Sequence, residues 1–300
     1  DDLNIPEDYE YSIMVVGDTQ TLVTQDSAEP YYALYDWLVD NIESKKIQAI
    51  IGVGDITHNN IIAEWERAKV AFAKLVEKVA DEVVKFFPIL GNHDVMSRPY
   101  DSDLREEGVV SDPDNYKSYL IFEQDENNGS FDGTMKSYYY RFEMGGQKFL
   151  FLGMGYAPTQ AEVDWAKGVV SEHSDYNVIL SCHGYLDDDG TPLDQECATI
   201  LREQLVLSYS NIVLVLCGHM HNSNVLLLSE TREDGTTVQA VMTNPQDYYS
   251  KSTVGVATGL YFSNGGKTVH VANHLVGTNA CLGEDSVRTF ELDLVQNREE

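Results

Sequence analysis

The chain has 300 residues, 43% of them apolar, with 20 basic against 49 acidic side chains and a net charge of −29. That length and apolar fraction support a sizeable core without disulfide or metal staples. The charge excludes the Lys/Arg tracks on which duplex DNA and anionic membrane surfaces depend, so neither is an expected partner. No apolar run reaches the roughly 18 residues of a membrane-crossing helix. The chain starts at Asp1, without Met, on the polar stretch DDLNIPEDYE. An exported, processed product, secreted, periplasmic or held at the cell surface, is the expectation.

In chain order, residues 11–17 (YSIMVVG) read as a buried strand. Residues 31–44 read as a helix, with Leu34, Trp37, Leu38 and Ile42 on one face. A second strand follows at 47–53, a long helix over 61–85 (Trp65, Phe72, Leu75, Val76 and Val79 at helical spacing), and a third strand at 86–90. This alternation implies βαβ units and a layered α/β domain.

Residues 96–136 are rich in Asp, Glu, Asn, Gly and Ser and read as a loop insertion over or beside a site. A hairpin over 137–143 and 147–153 turns at Gly145-Gly146, and Thr159 to Glu162 is a capping box opening a helix to about 173. Strand 177–182, helix 194–209 and strand 211–217 complete a core of about 11–223. Beyond it the texture is all β, with strands at 224–229, 237–243, 255–262, 268–274 and 287–294 and turn signals at Asp234-Gly235 and Gly265-Gly266. One domain over 1–300 is expected, its β-rich C-terminal part, about 224–295, forming a subdomain.

The four cysteines, Cys182, Cys197, Cys217 and Cys281, match no zinc-ribbon or redox spacing. Cys182 and Cys217 end apolar runs and read as small buried hydrophobes.

Five short motifs each stand where a strand ends: Gly17-Asp18-Thr19-Gln20, Gly54-Asp55, Gly91-Asn92-His93-Asp94, His183-Gly184-Tyr185 and Gly218-His219-Met220-His221. In open α/β sheets, ligands bind outside the carboxyl ends of strands, so loops from five strands can surround one crevice. Asp, Asn and His together offer hard oxygens and imidazole nitrogen, a set suited to zinc, iron or manganese. Singly, Asp18 or Asp55 reads as a helix N-cap, Gly91 to Asp94 as a turn, and His183 as a hydrogen-bonded structural histidine. Those readings do not explain why all five motifs follow apolar runs.

The ordered set GD-x-Q, GD, GNHD, HG and GHxH, over about residues 13–222, resembles the signature of calcineurin-like metallophosphoesterases. The resemblance implies a four-layer α/β/β/α sandwich, with two mixed β-sheets packed face to face between helices. It implies Asp18 and His221 as ligands of a first metal, Asp55 as the bridge, and Asn92, His183 and His219 as ligands of the second. His93 corresponds to the family's acid near the leaving oxygen. Gln20 stands where the commoner pattern has His, and is expected to bind or flank the first metal through a neutral amide.

The implied reaction is hydrolysis of a small phosphomonoester or phosphodiester. Two ions about 3.5–4 Å apart (Mn, Fe or Zn, with Mg also suitable) lower the pKa of a bridging water that attacks phosphorus. A rival reading is a binding module on the same scaffold with little catalysis. A nuclease is disfavoured by the missing basic track. Outside the motifs, His58 reads as a surface-loop residue, Arg98 as either a phosphate fork or a solvated side chain, and Tyr156 and Tyr185 as pocket-lining candidates. Asp187 to Gly190 reads as a solvated turn rather than a calcium loop.

Overall fold

The structure is a computed structural model describing residues 5–24, 28–104, 109–110, 125–249, 254–278, 280–282 and 287–298. In chain order it runs β1 (Tyr11–Val16), α1 (Gln20–Val23), α2 (Glu29–Asp40), β2 (Ile47–Gly52), α3 (Ile62–Ala73), α4 (Val76–Ala80) and β3 (Lys85–Phe87). Then come β4 (Asn128–Ser130), β5 (Ser137–Met144), β6 (Gln147–Met154), α5 (Gln160–Glu172), β7 (Asn177–Cys182), α6 (Glu196–Leu201) and β8 (Ile212–Cys217). The last elements are β9 (Asn222–Thr231), β10 (Thr237–Asn244), α7 (Gln246–Tyr249), β11 (Val256–Ser263), β12 (Thr268–Leu275) and β13 (Arg288–Glu291).

The strands form two mixed sheets, one of six in the order β13-β12-β11-β1-β2-β3 and one of seven in the order β4-β5-β6-β7-β8-β10-β9. Strands β1, β2 and β3 run parallel, as do β6, β7, β8 and β10. Period-two alternation decides which side chains of the second sheet face the first. Phe149, Phe151 and Ile179 join the large cluster shared with the first sheet and with α2 and α3. Leu150, Leu152 and Leu180 turn the other way, into a second cluster with Val163 and Val170 of α5 and Leu201 of α6. Both faces are therefore covered, which is why these strands read as continuous apolar runs. The sheets meet at Phe87 stacked on Phe151, 4.5 Å between ring centres, and at Tyr138, whose hydroxyl donates to the Pro88 carbonyl. The expected four-layer sandwich is what the chain forms.

Local signals explain most elements. Gly145 and Gly146 both take positive φ in the two-residue turn between β5 and β6. Thr159 and Glu162 make the reciprocal capping box at the start of α5. The helix expected over 61–85 is instead two. The backbone tightens to i→i−3 bonds at Lys74 and Leu75, and this re-phases the chain so that Leu75 and Val79 both face the core. The helix expected over 194–209 passes from α6 into a π-helical turn, Arg202–Val206. Of the insertion expected over 96–136, residues 105–108 and 111–124 lie outside the described residues. The remainder holds a short 3-10 turn, Ser102–Leu104, and the edge strand β4. No helix among the described residues is long and apolar enough to cross a membrane.

Strands of the β-rich C-terminal stretch enter both sheets. Strand β11 lies between β12 and β1, and β10 lies between β8 and β9.

Candidate metal centre

Because the two parallel blocks end at the same side of the sandwich, the five motif loops converge. Asp18 leaves β1, Asp55 follows β2, Asn92 and His93 follow β3, His183 follows β7, and His219 and His221 follow β8. Three of these residues, Asp18, Asp55 and His219, hold positive φ without being glycine. Such backbone costs about 1–3 kcal/mol per residue and persists where the surroundings enforce it, commonly at functional sites. Glycine is required where loops touch: a Cβ on Gly91 would lie 2.2 Å from Asp55 Oδ1, and one on Gly218 would lie 2.1 Å from Asp18 Oδ2.

Among the described residues, Asp18, Asp55 and His183 each bring one potential ligand atom within 4.8 Å of the others, and all three are buried. His183 Nδ1 donates to the Val53 carbonyl at 2.7 Å, which directs Nε2 toward Asn92 Oδ1 at 2.8 Å and Asp55 Oδ1 at 3.3 Å. His219 Nδ1 lies 2.9 Å from the same Asn92 oxygen, and its backbone N–H donates to Asp18 Oδ1. The structure thus gathers Asp18, Asp55, Asn92, His183 and His219 around one point.

Gln20 is buried and donates to Asp55 Oδ2 at 3.0 Å. His221 stands at the exposed side, with Nδ1 3.1 Å from Asp247 Oδ1 and its other nitrogen against the Gln246 amide. His93 donates its backbone N–H to Asp55 Oδ1, and its ring Nδ1 donates to the His58 carbonyl at 2.7 Å.

Two buried oxygens, Asp18 Oδ2 and Gln20 Oε1, have no hydrogen-bond donor among the described residues. Orphaned acceptors of this kind are costly unless a cation or donor meets them. Together with hard oxygens and imidazoles at hydrogen-bonding distance, they fit a divalent metal.

The electrostatics point the same way. Burial, opposed by the His183 charge and reinforced by Asp55, pushes the Asp18 carboxyl well above the ordinary carboxylate range. Burial also acts to raise Asp55, but His183 and His93 outweigh it and hold Asp55 low. Burial disfavours a charged His183, yet the Asp55 and Asp18 carboxylates carry it up to about 9. Burial and the neighbouring His183 charge push His219 down to about 4. The two buried carboxylates thus favour a positive charge between them.

The remaining sequence candidates separate clearly. Tyr156 packs against His183 and His219, with ring centres 5.8 and 5.5 Å away. Tyr185 does not line the crevice; it is buried in the outer core and donates to Glu230. His58 is no loose surface residue, because its ring stacks on His93 at 5.0 Å. Arg98 is exposed. Asp187 to Gly190 is a turn closed by Thr191 donating to Asp189.

Sequence reasoning missed two contributors. Asp94, the last residue of the GNHD motif, accepts from the backbones of Gly91, Ile56 and Thr57 and from the Thr57 hydroxyl. It ties the Asn92 loop to the Asp55 loop. Gln246 contacts both Gln20 and His221. The signal for it was available: Asn244-Pro245-Gln246-Asp247 follows an apolar strand, as the five motifs do.

The sequence model of the calcineurin-like phosphoesterase family matches residues 11–223, and the chain belongs to that family. The uncharacterized protein YvnB of Bacillus subtilis (strain 168) is 25% identical over 220 residues, a stretch that is 71% of this chain and 15% of YvnB. The chain therefore spans a small part of that relative's length. In three dimensions the chain is similar to a dimetal phosphatase from Danio rerio, with a TM-score of 0.56 and 12% identity over 95% of this chain and 99% of that one. It is also similar to GAP50, the anchor in the inner membrane complex of Plasmodium, with a TM-score of 0.53 and 11% identity over 95% of this chain and 89% of that one. These likenesses are of fold.

Proposed function

We propose that this phosphoesterase hydrolyses a small phosphomonoester or phosphodiester at a two-metal centre. In this reading Asp18, Gln20 and His221 hold one ion, Asn92, His183 and His219 hold the other, and Asp55 is shared. The observation that carries it is that Asp18, one of three buried residues whose ligand atoms converge, has a buried Oδ2 with no donor to meet it among the described residues. Two bound divalent ions (manganese, iron, zinc or magnesium) would supply an activated water and neutralise the phosphoryl oxygens.

The protein's own part is positioning. His93 is fixed twice, by its backbone N–H on Asp55 and by Nδ1 on the His58 carbonyl. With Nδ1 committed as a donor, Nε2 is the atom that can carry a proton to a leaving oxygen. Tyr156 packs against the two histidines of the second subsite and shields one flank. The net charge of −29 does not oppose an anionic substrate, because two bound ions would dominate the field within the crevice.

A binding module is the second reading, since a similar fold is carried by an anchor protein. What favours the hydrolase is that a polar side chain stands at every position of the proposed centre, two of them with orphaned oxygens.

The test is hydrolysis of a chromogenic phosphodiester and its monoester counterpart with Mn²⁺, Zn²⁺, Mg²⁺ or chelator. Metal-dependent turnover abolished by Asp55→Ala supports the proposal, and the better ester narrows the substrate class. A folded chain that holds metal yet turns over neither ester supports the binding module instead.

A further inference from the structure

We propose that α7 supplies two more residues to this centre: Gln246 as an amide-oxygen ligand in the subsite of Asp18, Gln20 and His221, and Asp247 as the group that fixes the His221 tautomer. The inference rests on reading the site as a metal centre.

Strand β10 runs parallel to β8 with Met242 opposite Cys217, so the chain leaving β10 emerges beside the Gly218 to His221 loop. Gln246 is buried there, with its amide between the Gln20 amide and the His221 imidazole and in contact with both. A buried primary amide ordinarily places its donors and acceptor on complementary backbone or side-chain groups. Here it meets two side chains of one subsite. One of them, Gln20, keeps an orphaned buried Oε1, as Asp18 of the same subsite keeps an orphaned Oδ2.

Asp247 gives the second argument. Its Oδ1 lies 3.1 Å from His221 Nδ1, and an ionised carboxylate only accepts. The His221 proton therefore sits on Nδ1, and the Nε2 lone pair faces the Gln246 amide. A carboxylate behind a ligating imidazole is the usual means of fixing its tautomer and orientation. The Gln246 amide can present either end by rotating about its last torsion.

The subsite then offers one imidazole nitrogen, two amide oxygens and carboxylate oxygen. That set favours a hard divalent ion such as Mn²⁺ or Mg²⁺ over zinc, which prefers nitrogen and sulfur. Gln246 would make good the imidazole that Gln20 replaces.

The test is calorimetric titration of the chelator-stripped full chain with Mn²⁺, alongside a count of bound ions. The wild type should bind two. Gln246→Leu should leave one affinity unchanged and weaken the other by about 10–100-fold. Gln246→Glu should keep both ions, bound at least as tightly as in the wild type, because a carboxylate oxygen replaces the amide oxygen. Asp247→Asn should weaken the same single ion by about 10-fold. If Gln246→Leu binds both ions within about threefold of the wild type, or Gln246→Glu is as damaging as Gln246→Leu, Gln246 is a packing residue and the proposal falls. A wild-type chain that binds one ion, indifferent to Gln246→Leu, overturns this proposal and the second ion of the centre, but leaves the metal-centre reading standing. A wild-type chain that binds none overturns the metal-centre reading with it.

Discussion

His183 Nε2 lies 3.3 Å from Asp55 Oδ1, and no hydrogen is available to join them while the imidazole is neutral. The ring proton is committed to the Val53 carbonyl through Nδ1. A lone pair then faces a carboxylate oxygen inside a buried pocket, which is unfavourable unless a proton or a metal ion stands between them. Asp55 is also touched by three neighbouring loops, through Gln20, His93 and His183. Asp55→Asn keeps the shape and removes the charge. Its expected outcome is loss of at least one bound ion and a fall in turnover of about a thousandfold or more, about 4 kcal/mol in transition-state stabilisation. Metal analysis and kcat/KM on the same preparation check it.

Metal should also stabilise the fold. Asp18 and Asp55 are both buried, and burial together with the Asp55 charge disfavours ionisation of Asp18. An ion that binds only the folded chain adds about 2.7 kcal/mol at a hundred times its dissociation constant. Thermal unfolding should therefore shift upward by several degrees with excess Mn²⁺ and return on chelation. The shift should be largely absent in Asp55→Asn.

Asp94 is predicted to matter through other residues. Three backbone N–H groups and one hydroxyl converge on its carboxylate. Asp94→Ala leaves those donors buried and unmet, at about 1–3 kcal/mol for each that water cannot reach. Urea unfolding should show a loss of at least about 2 kcal/mol. Metal affinity should fall as well, because the Asn92 and Asp55 loops lose their common anchor.

Glu162 gives a pH-dependent prediction away from the site. Its buried carboxylate accepts from the Thr159 backbone and hydroxyl and from Ser137, with Lys136 at 3.5 Å. Burial acts to raise its pKa, but those partners outweigh burial and the net shift is downward. A lowered folded-state pKa contributes stability above the unfolded value, near 4.3, and that contribution is lost as pH falls through the folded value. Glu162→Gln should therefore cost about 1 kcal/mol at neutral pH, the usual scale of a lost helix cap. The gap from wild type should close in acid. Denaturant titrations at pH 7 and pH 3 measure both limbs.

Much of the site could be read before the fold because each motif follows an apolar strand and sets its first polar residue directly after glycine or Cys, a strictly local signal. Gln246 satisfied the first half of that rule but sits in a polar run, TNPQDYY, that matches no motif. Only the parallel register of β10 against β8 shows where it goes. Tyr185 illustrates the reverse error: it lies two residues from His183, yet its side chain enters the outer core. The break at Lys74 and Leu75 carries no Gly or Pro, so apolar periodicity alone read one helix through it.

The placement of β11 has a consequence for how the molecule assembles itself. Tyr11 pairs with Phe262, and Val15, two residues short of the Gly17-Asp18 motif, pairs with Thr258. The strand that carries Asp18 is made well before β11, one of its two neighbours, which lies far downstream in the sequence. During synthesis β1 waits with an open edge until β11 has emerged, and pairing across such a span is slow. Convergence of the motif loops is thus a late event in folding, and a chain stalled before β11 holds the motif residues without holding them together.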